Sequence, residues 1–394
     1  MASILPRVKL EQFAMERMQS TWENRVEFNL SESGVHPLTS RQLLGDAALD
    51  AVLDQPLVYT QSNGTPELRA RIAALYPGAT PDHVQVTNGG SEANYVSVWR
   101  LVEAGDEVAM LVPNYMQTWG LVRAFGGTVR EWPLVEDRAA NRWRPDLDRL
   151  ARVVSDRTRA IIICTPNNPT GARLTSDELD AIAAIADRHG CWIISDEVYR
   201  GAEVSASDTP SMWGRAERVI VTSGLSKAYG LPGLRIGWIV GPPDLVASTW
   251  SYHDYMTISP GALSDRLARV ALSPEKRPAL LERTRGILRA NLPAIESWLR
   301  DRHPAFAWLP PEAGAIVYVR YNYRINSTAL VTRLREEKSV LIVPGDHFGM
   351  DGYLRLGYGE RPDYLREALD RVHALLSTLP LAHADPAQPV GSNG

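Results

Sequence analysis

The 394-residue sequence predicts an α/β protein with a mostly parallel sheet covered by helices, followed by a smaller α+β domain. Between residues 84 and 222, short apolar runs alternate with segments of helical length, a pattern typical of a parallel sheet covered on both faces. After Gly241 the strand-like runs become fewer and the helical segments longer. This change indicates the second domain.

The larger domain is expected to alternate strands and helices. The predicted strands cover residues 84–87, 107–112, 128–132, 160–164, 192–195 and 219–222. The predicted helices between them cover residues 91–102, 115–125, 147–154 and 176–188.

The smaller domain is predicted to begin with one long helix over residues 274–302, with Pro278 in its first turn. Further strands are expected at residues 315–321, 340–343 and 353–356, and further helices at residues 330–337 and 362–378.

The N-terminal segment is predicted to contain a helix over residues 9–21 and a loop over residues 29–37. A second helix is expected to start at a cap formed by Thr39 or Ser40 and to run to about residue 53, and a third covers residues 67–76. The expected division is an N-terminal segment that packs with the small domain, a large domain, a small domain and a disordered tail, over residues 1–40, 41–270, 271–380 and 381–394.

Composition excludes several classes of function. A net charge of −4 with 22% charged residues gives no electrostatic signature for nucleic acid. No apolar stretch approaches the ~18 residues of a membrane span, and we expect no secretion signal. Cys164 and Cys191 lie in apolar runs and are expected to be free thiols in the cytoplasm. No Cys or His cluster has the spacing of a metal site.

One lysine, Lys227, lies in a loop rich in small residues after the apolar run 219–221. Partial desolvation and a neighbouring cation, for which Arg235 is the candidate, would lower the pKa of its amine and let it form a Schiff base. Glycines nearby would let the backbone approach a bulky ligand, and Arg235 would suit a phosphate. A surface lysine in a Gly-Pro loop is the alternative.

Ligands gather at the carboxyl ends of parallel strands, and two predicted strands end in suggestive residues. Strand 84–87 is followed by Gly90 and Ser91 at a helix start, which suits a phosphate, although an ordinary strand–helix turn is the alternative. Strand 107–112 is followed by Tyr115, which suits stacking on a flat ring or a place in the core.

Two further strands end in polar side chains. Strand 160–164 precedes a loop in which two prolines bracket two asparagines, and this loop would aim Asn168 into a site. Strand 192–195 is followed by Asp196, a carboxylate that needs a cationic partner such as a protonated pyridine nitrogen. Tyr199 would reach the phenolic oxygen of the same ligand.

In this order and spacing, the set resembles the fold-type I pyridoxal-phosphate (PLP) enzymes of the class I/II aminotransferase family, from about residue 29 to about residue 376. The resemblance implies that Lys227 forms the Schiff base and that Asp196 holds the pyridine N–H. It implies cofactor contacts for the other matching positions, Gly90, Ser91, Tyr115, Asn168, Tyr199, Ser226 and Arg235. Tyr59 resembles the tyrosine that reaches the partner subunit's phosphate, which implies a homodimer, and Arg355 resembles the arginine that binds the substrate α-carboxylate.

One position departs from the family pattern. The family usually has a hydroxyl residue three positions before the lysine, where this chain has Gly224. Either one phosphate hydrogen bond is missing or Ser223 supplies it.

The segment at residues 31–36, Ser-Glu-Ser-Gly-Val-His, resembles the Ser-Gly-Val-His segment of capreomycidine synthases. This resemblance implies a dehydratase-cyclase of antibiotic biosynthesis that takes 3-hydroxy-L-arginine, loses water and closes the guanidine onto Cβ. Glu32 is then the first candidate partner for the guanidinium and Asp254 the second, unless Glu32 is a solvated loop residue. His36 is a candidate general acid or a structural residue, and Lys227 competes for the acid role.

Two other functions stay open. The first is an ordinary aminotransferase of a basic or aromatic amino acid, because the scaffold alone does not choose the reaction. The second is a PLP-binding regulator or a catalytically silent scaffold. Regulators of this class usually carry an added DNA-binding domain, for which the chain has neither the spare length nor the basic charge.

Overall fold

The computed structural model describes residues 10–45, 49–205 and 207–382. At the N-terminus the elements are α1, β1, α2, α3 and α4, at Ala14–Trp22, Phe28–Asn29, Ser40–Leu44, Leu49–Leu53 and Pro66–Ala73. Of the two predicted cap residues, Thr39 is the one that caps α2, and its side chain forms a capping box with Gln42. The prediction of a single helix up to residue 53 is wrong, because α2 ends at Leu44 and its C-cap, Gly45, has a φ of 74°, outside the helical region.

Eight strands form the large sheet. They are β2 to β9, at Val84–Thr87, Glu107–Val112, Thr128–Asp137, Arg142–Pro145, Thr158–Cys164, Trp192–Asp196, Val219–Gly224 and Gly237–Val240. Their order is β2-β9-β8-β7-β6-β3-β4-β5. The five strands β8, β7, β6, β3 and β4 pair in parallel, which confirms the predicted sheet.

Two strands of this sheet are absent from the sequence prediction. Strand β9 pairs antiparallel with both β8 and β2, and β5 pairs antiparallel with β4. Strand β5 has the composition Arg-Trp-Arg-Pro and lacks the apolar run of a buried parallel strand, whereas β9 has only a short run, Trp-Ile-Val, directly after Gly237. The helices around the sheet are α5 to α8, at Gly90–Leu101, Gln117–Ala124, Leu147–Val153 and Ser176–His189.

The sheet is buried on both faces. Along β3, Val108 and Met110 belong to one hydrophobic cluster, whereas Ala109 and Leu111 belong to the other. Burial of each branched or long apolar side chain contributes about 1.5–3 kcal/mol. Two covered faces leave the ends of the strands as the accessible part of the sheet.

After β9 the chain forms α9 and α10, at Pro243–His253 and Ala262–Ala271, which the sequence prediction missed. The long helix α11, at Arg277–Arg300, has Pro278 in its first turn, as expected. The remaining helices are α12 and α13, at Ser327–Lys338 and Pro362–Leu376.

The smaller antiparallel sheet has the strand order β10-β11-β14-β13, and these strands lie at Phe306–Trp308, Ile316–Tyr321, Tyr353–Gly357 and Val343–Pro344. The strand expected over residues 340–343 is divided, because β12 at Val340–Leu341 pairs in parallel with β1 instead. This pairing joins the N-terminal segment to the smaller sheet, although the predicted domain boundaries stay a prediction. Of the tail predicted to be disordered, residues 383–394 lie outside the described residues. Leu381, at its start, forms an antiparallel β-bridge with Tyr323.

None of the helices in the described ranges is both long and apolar enough to cross a membrane. Within the same residues, no group of three or more His, Cys, Asp or Glu side chains could hold a metal ion.

The contact between β9 and the turn after β2 depends on a glycine. A Cβ at Gly237 would lie 2.3 Å from the carbonyl carbon of Gly89 and 2.4 Å from the amide nitrogen of Gly90. We predict that Gly237→Ala lowers the free energy of unfolding by about 1–3 kcal/mol, because backbone atoms have to move. The matched control is Gly233→Ala, where a Cβ meets no atom within 4 Å. Equal denaturant midpoints for the two variants would contradict the close approach.

Candidate active site

A cavity of about 300 Å³ lies at the carboxyl ends of the parallel strands. The loops after β2, β3, β6, β7 and β8 form its floor, and helix α1, the segment after β1 and strand β14 complete it. Most of the predicted site residues line this one cavity: Glu32, Gly90, Ser91, Tyr115, Asn168, Asp196, Tyr199, Ser226, Lys227, Arg235 and Arg355. The structure therefore brings together residues that are separated by more than 300 positions.

One end of the cavity has the character of an anion site. Helix α5 begins at Gly90, and its N-cap, Gly89, has a φ of 82°. A Cβ at Gly89 would lie 2.3 Å from a terminal nitrogen of Arg235, so the guanidinium packs directly on this turn. Arg235 itself adopts a left-handed conformation with φ 50°. Free amides at a helix start beside an arginine are suited to a phosphate.

The departure at Gly224 has a steric reason. A Cβ at Gly224 would lie 2.9 Å from the carbonyl oxygen of Ile236. The hydroxyl of Ser223 is not a substitute, because it donates to the carbonyl of Glu197 at 3.2 Å and does not line the cavity. Of the two alternatives, this geometry favours the one in which the phosphate hydrogen bond is missing.

Asp196 ends β7 with its carboxylate at the cavity. It accepts hydrogen bonds from Nδ2 of Asn94 at 2.9 Å and from the amide of Val198 at 3.1 Å. Burial raises the pKa of Asp196, and no Lys, Arg or His in the described ranges forms an ion pair with it. The sequence prediction missed Asn94, which lies one helical turn after Ser91, and whose Oδ1 is held by the Thr222 hydroxyl at 2.6 Å. This carboxylate is ready for a cationic ligand.

The environment of Lys227 differs from the expected one. Its Nζ lies 3.2 Å from Oε2 of Glu32, so the nearest charged group is an anion instead of a cation. Burial favours the neutral amine, but Glu32 and Tyr199 outweigh it, and the pKa of Lys227 is raised above its ordinary value. Lys227 in turn lowers the pKa of Glu32 despite the burial of that carboxyl. The prediction of a lowered lysine pKa from Arg235 is wrong for this state of the site.

Arg355 on β14 closes the cavity from the side of the smaller sheet. It is 1% exposed, and burial lowers the pKa of its guanidinium. One terminal nitrogen donates to Oδ1 of Asn168 at 2.7 Å, and the other donates to the carbonyl of Ser31. Its Nε has no partner within the described residues. A buried guanidinium that lacks a carboxylate is suited to an anionic ligand.

Two tyrosines complete the walls. The hydroxyl of Tyr199 donates to Oγ of Ser33 at 2.8 Å. The hydroxyl of Tyr115 donates to Oε1 of Glu16 at 2.8 Å, and Phe13 packs edge-on against its ring at 5.1 Å. The predicted stacking role of Tyr115 stays a prediction.

Three predicted residues lie elsewhere. Tyr59 is 83% exposed, and Asp254 is exposed after α9. His36 does not line the cavity, and its Nδ1 lies 2.9 Å from a terminal nitrogen of Arg283. Burial, together with Arg283 and Arg361, lowers the pKa of His36. An imidazole that is neutral and turned away from the cavity does not support the role of general acid.

Helix α1 contributes cavity residues that the sequence prediction missed. Glu16 and Gln19 of the helix and Glu23, its C-cap residue, line the cavity. Their spacing of three and then four residues was the available signal, because it places all three side chains on the same face. The polar face of a helix is normally exposed to solvent, so this spacing alone does not indicate a binding site.

The residues present fit PLP. The carboxylate of Asp196, which has no cationic partner within the described residues, suits a pyridinium nitrogen. The turn at Gly89 with Arg235 suits the phosphate, and Lys227 lines the same cavity. When bound, PLP makes the Cα–H bond of an amino acid acidic.

The comparisons with known proteins agree with this site. The profile of the aminotransferase class I and II family matches residues 44–372, and the chain belongs to this family. It is accordingly a PLP-dependent enzyme of that class, with pyridoxal 5′-phosphate as its cofactor.

Particular relatives divide between two chemistries. The chain is 36% identical to a capreomycidine synthase of Streptomyces vinaceus over 92% of both chains. It is 31% identical to an arginine–pyruvate transaminase of Pseudomonas aeruginosa over 83% of this chain and 84% of that protein. The solved structure of a PLP-dependent cyclase, OrfR, superposes with a TM-score of 0.82 at 27% identity, over 96% of this chain and all of the other.

The ion pair between Lys227 and Glu32 yields a test. Glu32→Gln removes the anion that stabilises the ammonium, so we predict a lower pKa for Lys227. Only the neutral amine attacks the PLP aldehyde, and the rate of PLP uptake by the apoenzyme should therefore rise at a lower pH than in the wild type. Stopped-flow absorbance across a pH series measures this. Glu27→Gln is the charge-matched control, because Glu27 pairs with Arg371 outside the cavity. A profile that is unchanged or displaced to higher pH would refute the interpretation.

Proposed function

We propose that this enzyme is a capreomycidine synthase-like dehydratase-cyclase that acts on 3-hydroxy-L-arginine in antibiotic biosynthesis. The observation that carries the proposal is the position of the segment after β1, whose Glu32 lies 3.2 Å from the amine of Lys227. This is the segment that resembles capreomycidine synthases, and it forms the cavity wall beside the reactive lysine. The 36% identity to a capreomycidine synthase over 92% of the chain supports the same conclusion.

The proposed reaction balances without a second substrate. The Cβ–O bond breaks and the hydroxyl leaves as water, while a guanidine nitrogen forms a bond to Cβ. The Cα proton is removed and later returned, and the proton lost by the guanidine nitrogen balances the hydroxyl that leaves. No oxidant, reductant or keto acid is consumed.

The chain's own residues have distinct tasks in this reaction. Nζ of Lys227 takes the proton from Cα and returns it. Arg355 binds the α-carboxylate, since its guanidinium is buried and its Nε is free of protein partners within the described residues. Asp196 stabilises the positive charge of the pyridine nitrogen. Lys227 also protonates the leaving hydroxyl, because His36 is directed toward Arg283.

Glu32 has a supporting task beside Lys227. Its pKa is lowered by Lys227, so the carboxylate is ionised near neutral pH and cannot itself act as the acid. It holds the ammonium form at 3.2 Å, where that ammonium can deliver a proton. This task replaces the expected contact of Glu32 with the guanidinium.

We further propose a cytoplasmic homodimer with shared active sites. Large apolar side chains are exposed in two segments of the chain, and such groups of exposed apolar residues often mark a protein–protein interface. They are Leu53, Leu57, Val58, Tyr59, Tyr255, Met256 and Ile258. Tyr59 would then reach the phosphate of the partner's cofactor. The two buried free thiols, Cys164 and Cys191, suit a reducing compartment.

Two alternatives differ in the fate of the substrate. An aminotransferase of a basic or aromatic amino acid is favoured by the family and by the arginine–pyruvate transaminase relative. A regulator or scaffold that binds PLP without turnover is the other alternative, and it would need none of the substrate-facing charges around Arg355.

The first test uses 3-hydroxy-L-arginine without any keto acid. We expect the purified holoenzyme to convert it to a cyclic product lighter by one water, which mass spectrometry and NMR identify. Strict dependence on a keto acid, with an oxo acid as product, would establish the aminotransferase instead. Lys227→Ala should abolish product formation, because no other amine lines the cavity within the described residues.

The second test separates an enzyme from a scaffold. The visible absorption band of the bound cofactor should shift when an amino-acid substrate is added, because the substrate replaces the lysine. We expect Lys227→Ala to lose both the original band and its response. A wild-type band that does not respond to any basic amino acid would support the scaffold.

The third test addresses the dimer. We expect sedimentation at twice the protomer mass, and we expect Tyr255→Asp with Ile258→Asp to yield a monomer with weakened PLP binding. Leu381→Asp is the control, since Leu381 is exposed but lies away from both segments. A wild-type monomer that binds PLP fully would rule out shared sites.

A further inference from the structure

Helix α1 places carboxylates over the cavity that have no task in the reaction described above. Glu16 in the helix and Glu23, its C-cap residue with helical φ and ψ, both line the cavity, and Gln19 lies between them in the sequence. Because 3.6 residues complete a turn, positions 16 and 23 point in nearly the same direction. Glu32 approaches from the segment after β1, so three carboxylates converge on one side of the cavity.

The three carboxylates differ in their partners. Glu32 is paired with Lys227 at 3.2 Å, and Glu16 accepts the hydroxyl of Tyr115 at 2.8 Å. The carboxylate of Glu23 has no hydrogen bond or ion pair to any described residue. Burial, followed by the negative charges of Glu32 and Glu16, raises the pKa of Glu23. A half-buried carboxylate next to two others gains most from a cation supplied by a ligand.

An independent observation indicates the kind of ligand. The guanidinium of Arg355 is 1% exposed, lines the same cavity, and keeps its Nε without a partner within the described residues. The cavity thus offers a free buried donor for an anion and a free acceptor for a cation. An amino acid with a cationic side chain carries both complementary charges, whereas aspartate or glutamate would bring its second carboxylate toward Glu16 and Glu23.

We propose that Glu23 at the C-cap of α1, assisted by Glu16, is the specificity residue that binds the guanidinium of the substrate, an inference that rests on the proposed function. Glu23 is a better candidate than Glu32, whose carboxylate is already held by Lys227. It is also better placed than Asp254, which is exposed outside the cavity. Helix α1 therefore selects the substrate, while the floor of the cavity holds the cofactor and its lysine.

The test compares two ligands of the same shape, L-arginine and L-citrulline, in which a neutral ureido group replaces the guanidinium. Neither carries a β-hydroxyl, so neither can lose water. Their dissociation constants for the holoenzyme are measured by calorimetry in the wild type and in Glu23→Gln, Glu16→Gln and Glu27→Gln. Glu27→Gln is the matched control on the same segment, because Glu27 pairs with Arg371.

We expect the wild type and Glu27→Gln to prefer arginine over citrulline by about 10- to 100-fold, as for a charge-assisted hydrogen bond. Glu23→Gln should reduce this preference to about threefold or less while leaving the affinity for citrulline unchanged, and Glu16→Gln should reduce it partly. The unchanged affinity for citrulline shows that the variant is folded, and Glu23→Asp should keep part of the preference.

The outcomes separate this inference from the proposed function. A wild-type preference that persists in Glu23→Gln overturns the assignment to Glu23 and leaves the function intact. A wild type that binds arginine and citrulline with equal affinity would overturn both the assignment to Glu23 and the proposed function. A preference that is lost in Glu23→Gln, together with failure to dehydrate 3-hydroxyarginine, supports the assignment to Glu23 and shifts the reaction to an arginine aminotransferase.

Discussion

Charge buried at the carboxyl ends of the parallel strands is the constraint on which the rest of this structure depends. A charged group taken out of water needs a partner of opposite charge or several hydrogen bonds. The chain meets this need completely for Lys227, through Glu32, and only in part for Asp196 and Arg355. Within the part of the chain that the structure describes, Asp196 has amide donors but no cation, and Arg355 has carbonyl and amide acceptors but no carboxylate. The groups left incomplete match the charges of PLP and of an amino acid.

The two ends of the chain meet to form the wall that faces the substrate. Strand β1 pairs with β12, and the backbone of the segment after β1 packs so tightly on the chain after β14 that only glycine fits. A Cβ at Gly357 would lie 2.3 Å from the carbonyl oxygen of Glu32, and one at Gly359 would lie 2.2 Å from that of Gly34. Arg355 also donates to the carbonyl of Ser31. The segment after β1 is therefore packed tightly against Arg355, and residues of α1 line the same cavity.

The cofactor side of the site was largely predictable from the sequence, and the substrate side was not. Gly90, Asp196 and Lys227 each follow a strand whose apolar run is visible in the sequence, and parallel strands bring their carboxyl ends together. Strand β5 was missed because its sequence lacks that run, and β9 was missed although three of its four residues are apolar. Glu23 was missed because a charged face on a helix usually contacts solvent. The two alternatives at Ser223 stayed open because the direction of its hydroxyl depends on the carbonyl of Glu197.

The sequence by itself determined the α/β fold class and the family, and it singled out Lys227, because these depend on local patterns and on the order of the strands. The tertiary structure alone decided which charges meet. Glu32 lies beside Lys227 across 195 positions, His36 is turned toward Arg283, and α1 directs Glu23 into the cavity. Electrostatic interactions depend on distance in space and on burial, neither of which is encoded by sequence spacing. The lysine was therefore recognisable from its neighbours in the sequence, but its protonation was set by a carboxylate from the other end of the chain.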